Sequence, residues 1–179
     1  VGTANITLGL PIRNTALRTW IDLIFNIQEN KQRFKTEAIY FQDLQKFWNH
    51  PFCSAIMNDK ERTLITQLEL EAIQKNRIFR SAENLEMGKK LDQLFSLFHA
   101  NWSNDWSRAM QQIRSINATL VGYLNENDTF NRALLTGFDQ AIIDFDNITI
   151  EGLPDMNLRS FRGLLQQHWM NKSIAYHGN

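Results

Sequence analysis

LEMGKKLDQLFSLFHANWSNDWSRAMQQIRSINATLVGYL, residues 85–124, is the stretch on which the reading of this chain turns. Bulky apolar side chains recur at Leu91, Leu94, Phe95, Phe98, Trp102, Trp106, Met110, Ile113, Leu120 and Leu124, and Asn117 is the polar exception. Steps of three and four put all of them on one face of an α-helix, which repeats every 3.6 residues. At 1.5 Å per residue, roughly 40 residues predict a rod of about 60 Å. Such a rod needs a partner to cover its stripe.

The partner lies upstream. From about Asn14 a ladder climbs through Leu17, Trp20, Ile21, Ile24, Ile27, Phe34, Ala38, Phe41, Leu44 and Trp48, with Lys31 on one rung, until Asn49, His50 and Pro51 stop it. Phe52 to Met57 reads as a short helical turn. Asn58 or Asp59 caps a helix over Lys60 to Phe79 with Leu64, Ile65, Leu68, Ala72 and Ile73 on one face. Phe130, Leu134, Phe138, Ile142 and Phe145 predict a further helix, and Asp155 offers a cap to a last one containing Leu158, Phe161, Leu165 and Trp169. Gly88 marks a start or bend, because an interior glycine costs about 1 kcal/mol against alanine. Extended signals are confined to residues 3–10 and 147–150. The expectation is all-α: residues 1–179 as a single domain, an elongated antiparallel bundle of four or five helices with two long helices meeting in coiled-coil fashion.

Composition narrows the function classes. The 179 residues are 43% apolar and 21% charged, as in ordinary globular proteins. Nineteen basic and 19 acidic residues cancel, which argues against capture of nucleic acid by the whole domain. No apolar run reaches the roughly 18 residues of a spanning helix, and no signal-peptide pattern opens the chain, so it reads as soluble. Beginning at Val1, it reads as a processed chain or as a piece excised from a longer protein, which on a sensor reading would carry its membrane anchor outside this stretch. One cysteine, Cys53, excludes an internal disulfide and a multi-cysteine zinc site. The sequons at Asn5, Asn101, Asn117, Asn127, Asn147 and Asn171 fall partly on helix faces, against their use as glycan acceptors.

Polar residues that interrupt or flank apolar stripes carry the functional reading. Lys31 and Asn117 occupy rungs that packing alone would give to leucine, and buried polar groups need partners, which sets helix register or lines a cavity. Trp102 and Trp106, one turn apart, could wall a pocket, since indole faces attract cations, although apolar stripes at helical spacing favour plain core packing. Lys31, Trp102, Trp106 and Arg114 are therefore the candidate ligand-binding residues, with no catalytic residue, cofactor or metal expected. The late acidic group, from Glu126 to Asp155, lacks the ligand spacing of a calcium loop and reads as a solvated face that meets the basic run KNRIFR, residues 75–80. GxSxG, GxxxxGK[ST], HExxH and GxGxxG are all absent.

Arg162 and His168 have the spacing of, and so resemble, the Arg-x(4–6)-His signature of HEPN ribonucleases, which are all-helical and set this motif near a dimer interface. The resemblance implies an arginine that holds an RNA phosphate and a histidine in an acid/base role; Gly163 and Met170 depart from the family's usual residues. Three readings follow. The first is a non-enzymatic ligand-binding or sensor module of a bacterial signal-transduction protein of the chemoreceptor or histidine-kinase type, periplasmic or otherwise outside the cytoplasm. Its partners are a small molecule or a protein, with a homodimer open and no nucleic acid. The second is a protein–protein interaction domain of a larger regulatory or effector protein; the third is the HEPN-like ribonuclease.

Overall fold

The computed structural model describes residues 9–81, 83, 85–149, 152–170 and 172–175. Eight α-helices lie in this part of the chain: α1 (Ala16–Phe34), α2 (Phe41–Trp48), α3 (Pro51–Ile56), α4 (Asp59–Gln74), α5 (Lys89–His99), α6 (Trp106–Tyr123), α7 (Thr129–Ile148) and α8 (Leu158–Trp169). Four short strands make two antiparallel pairs: β1 (Gly9–Pro11) with β4 (Ser173–Ala175), and β2 (Ile39–Tyr40) with β3 (Phe79–Arg80). The sequon and strand readings at residues 3–8 and 150, and the sequon at Asn171, lie outside the described residues.

The protein is mostly helical, as expected, but neither long rod exists. The stripe of residues 85–124 is cut between His99 and Trp106, where Ser103 and Asn104 take left-handed φ of 51° and 60°. Asn101 accepts from the amide of Ser103, and Asp105 accepts from that of Arg108 to start α6. Short polar side chains compete with helical bonding through such local bonds, so NWSND is a stop and a restart. The chain reverses there. Gln112 then reaches the carbonyl of Leu97, and Tyr123 reaches Gln93, so α5 and α6 form an antiparallel hairpin whose half-stripes face the same core.

The upstream ladder breaks at Lys35, in left-handed conformation at φ 49°. The β2–β3 pairing follows, and α2 restarts the apolar pattern in another direction. α1 is the central helix. Beyond its predicted rungs it buries Leu23 and Phe25 as well, because α2, α5 and α8 cover it from several sides. One contiguous set of buried side chains joins all the helices. Along α4 only Ile65 and Ala72 of the predicted face are fully buried, whereas Leu64 and Ile73 are exposed. Residues 147–149 end α7 instead of forming a strand, and Asn157, not Asp155, caps α8. Asn58 caps α4 in a reciprocal box with Glu61.

Candidate functional site

Lys31 is a clamp. Its Nζ donates to the carbonyl of His99 at 2.7 Å and to His99 Nδ1 at 3.2 Å, and it pairs with Glu37 at 2.7 Å. One turn earlier, Gln28 Nε2 donates to the carbonyls of Phe98 and Ala100 at 3.0 and 2.8 Å. The last carbonyls of a helix lack intrahelical partners and carry the negative end of its dipole, so this amide and ammonium on α1 cap α5. Burial and the neighbouring Lys31 charge lower the pKa of His99, while the Lys31 bond lowers that of Glu37. Arg132 caps α6 in the same way, through the carbonyls of Val121 and Leu124.

The two tryptophans sit in the core. Trp102 packs edge-on against Phe25 at 5.2 Å, and Trp106 stacks on Phe161 at 4.7 Å. The cation that faces this row belongs to the protein: the Arg162 guanidinium lies 5.6 Å from the centre of the Phe25 ring. Trp102 Nε1 has no acceptor among the described residues.

Arg114 lies elsewhere, on the rim of a groove of about 640 Å³ between α6 and α7. Its Nε and Nη2 donate to the two carboxylate oxygens of Asp139 at 2.7 and 3.3 Å, which raises its pKa. Thr136 flanks this polar end, while Ala118, Val121 and Leu135 make the rest apolar. Asn117 is at the floor, 2% exposed. Its Oδ1 accepts from Trp20 Nε1 at 3.3 Å, and because the indole can only donate, that bond fixes which way the amide faces. The Asn117 Nδ2 is left buried with no acceptor among the described residues. A separate groove is lined by Trp106, and neither groove is lined by Lys31 or Trp102. Burial also closes the Asn117 sequon to a glycan.

Other constellations resolve into structure. His50 Nε2 lies 3.0 Å from Thr19 Oγ1 and 3.2 Å from the Ala16 carbonyl, but its Nδ1 accepts from the amide of Phe52. The ring proton is therefore on Nε2, and the imidazole donates toward Thr19 instead of acting as its base. Burial pushes this histidine down to about 4. The Cys53 thiol is buried and pushed well up, away from reactivity. No group of three potential metal ligands occurs among the described residues.

Arg162 is held on α1 by Asp22 at 2.7 Å, Glu29 at 3.0 Å and Asn26 at 2.9 Å. His168 turns instead to α7, beside Phe145 at 5.3 Å. The two side chains thus serve different interfaces of α8. Among the described residues the late acidic group does not pair with KNRIFR: Asp139 pairs with Arg114 and Asp144 with Lys172, whereas Lys75, Arg77 and Arg80 converge on Glu71. Bonds from Lys75 and Arg80 hold the Glu71 carboxyl down to about 2. No family model matches the chain, and it matches neither a curated protein nor a solved structure.

Proposed function

We propose that this chain is a non-enzymatic ligand-binding module, and that the α6–α7 groove takes a small amphipathic molecule with a carbonyl or carboxylate acceptor. The observation that supports the reading is the buried Asn117 amide nitrogen, a donor with no acceptor among the described residues, at the floor of a groove of ligand size. A ligand acceptor there recovers the cost of an unmet buried donor, about 1–3 kcal/mol. Arg114, whose Nη1 is not used by Asp139, offers a second contact to a carboxylate. The apolar part lies on Ala118, Val121 and Leu135.

A sensor role within a signal-transduction protein fits this placement by a route other than a long rod. α7 carries Gly137, where a Cβ would meet Ile174 of β4 at 3.0 Å, and β4 pairs with β1. A ligand wedged between α6 and α7 shifts α7 and, through it, the strand pair that joins both ends of the described chain.

Calorimetric titration with short-chain and medium-chain monocarboxylates, their amides and amino acids tests the reading. Saturable heat is expected, abolished in Ala118→Phe, which fills the groove from the surface, and reduced in Asn117→Asp, which keeps an oxygen for Trp20 but loses the donor. Absence of heat with every compound, or undiminished binding by Ala118→Phe, overturns it.

A further inference from the structure

Sequence order separates the C-terminal turn of α1 from the β3 hairpin, yet the fold packs them into one surface. Phe34, Tyr40 and Phe79 form a closed triangle of rings, with centroids 5.2 to 5.8 Å apart. Ile78 beside them is 57% exposed, Ile73 at the end of α4 is 69% exposed, and Phe34 and Phe79 are themselves exposed. Of the nine exposed large apolar side chains among the described residues, Phe34, Ile73, Ile78 and Phe79, within segments 31–37 and 71–80, are four. Cations accompany them: Arg33 lies over Phe34 at 5.3 Å, Lys35 follows Phe34 in sequence, and exposed Lys75 and Arg77 precede Ile78. Arg33, Lys35, Lys75 and Arg77 are exposed there against the carboxylates of Glu37 and Glu71, in a chain whose charges cancel as a whole. Glu71 alone serves Lys75, Arg77 and Arg80, so positive charge is in excess there.

We infer that this cationic, apolar tip docks on an anionic lipid surface, Ile78, Phe79 and Phe34 entering the headgroup boundary while Arg33, Lys35, Lys75 and Arg77 face the lipid phosphates and carboxylates. The charge excess selects an anionic occupant. The apolar chemistry selects lipid over nucleic acid: isoleucine gains nothing from base stacking, and the rings already meet one another edge-on or tilted, with Arg33 over Phe34. No helix among the described residues is long and apolar enough to cross a membrane, so the contact is peripheral.

Vesicle co-sedimentation decides it, with phosphatidylcholine alone and with phosphatidylcholine mixed with phosphatidylserine. The protein should sediment with the mixed vesicles only, and less as salt rises. Ile78→Asp should abolish binding and Lys75→Ser with Arg77→Ser should weaken it about thirtyfold. All three positions are exposed, and an unchanged circular dichroism melt confirms that each variant is folded. Equal sedimentation with both vesicle types, none with either, or full binding by Ile78→Asp overturns the inference. So does binding of a single-stranded oligonucleotide or an acidic polypeptide in the absence of any vesicle binding.

Discussion

Lys31 Nζ lies 2.7 Å from the carbonyl oxygen of His99, and that contact explains both a polar residue on an apolar rung and the end of a helix 68 residues away. The ammonium is buried because the α5 terminus supplies acceptors that water would otherwise supply.

Lys31→Met keeps the stem and removes the charge, leaving the His99 carbonyl without its donor. We expect a loss of about 2 kcal/mol, the scale of a hydrogen bond to a charged group. Urea unfolding of the variant measures it, and an unchanged midpoint contradicts the clamp.

Arg162 ties α8 to α1 through three acceptors, and Arg162→Met leaves the Asp22 and Glu29 carboxylates without their shared guanidinium. Because the site is only half-buried, the expected loss is about 2 kcal/mol, less than for a fully enclosed pair. Arg162→Lys should restore only part of it, since a point charge cannot reproduce the planar fork. Denaturant midpoints of the two variants, if equal to wild type, remove this tie from the account.

Acid should weaken the fold between pH 6.5 and 4. Unfolded, the His50 imidazole takes a proton near its ordinary value; folded, burial keeps it neutral down to about 4. Protonation therefore favours the unfolded chain, and the stability, fully present above pH 6.5, falls through this window by about 3 kcal/mol. His99 and His168 shift in the same direction, and Asp43, raised by burial, opposes them. Stability measured against pH for wild type and for His50→Asn, which can still accept from Phe52, should show a shallower slope in the variant. Parallel curves would count against His50 as the source.

Gly88 stands at φ 102°, where an added Cβ would lie 2.5 Å from Glu61 Cγ. Glu61 is buried and accepts from the amide of Asn58, so Gly88→Ala strains the backbone and displaces one half of the α4 cap. The expected cost is about 2 kcal/mol. Thermal unfolding reads it, and a midpoint within error of wild type refutes the coupling.

Periodicity alone carried much of the helical content, because 3.6-residue spacing marks a buried helix face wherever that face points. Leu91 to Leu124 are nearly all buried, as their spacing requires, although they belong to two helices. The turn at NWSND was legible in principle: Asn, Ser, Asn and Asp within five residues favour local side-chain bonds over helix. Gln28 gave no signal, since nothing in its own neighbourhood anticipates the carbonyls of Phe98 and Ala100.

The sequence by itself determined that this chain is mostly helical, which residues make most of its core, and that Lys31 and Asn117 need partners. Tertiary structure decided where the helices reverse, that α1 is the central element, and what those partners are. The reason is that spacing reports only which face of a segment is buried. Whether a stripe continues into the next turn or folds back on itself depends on distant donors and acceptors, such as Lys31 meeting His99, which only the packed chain brings within reach.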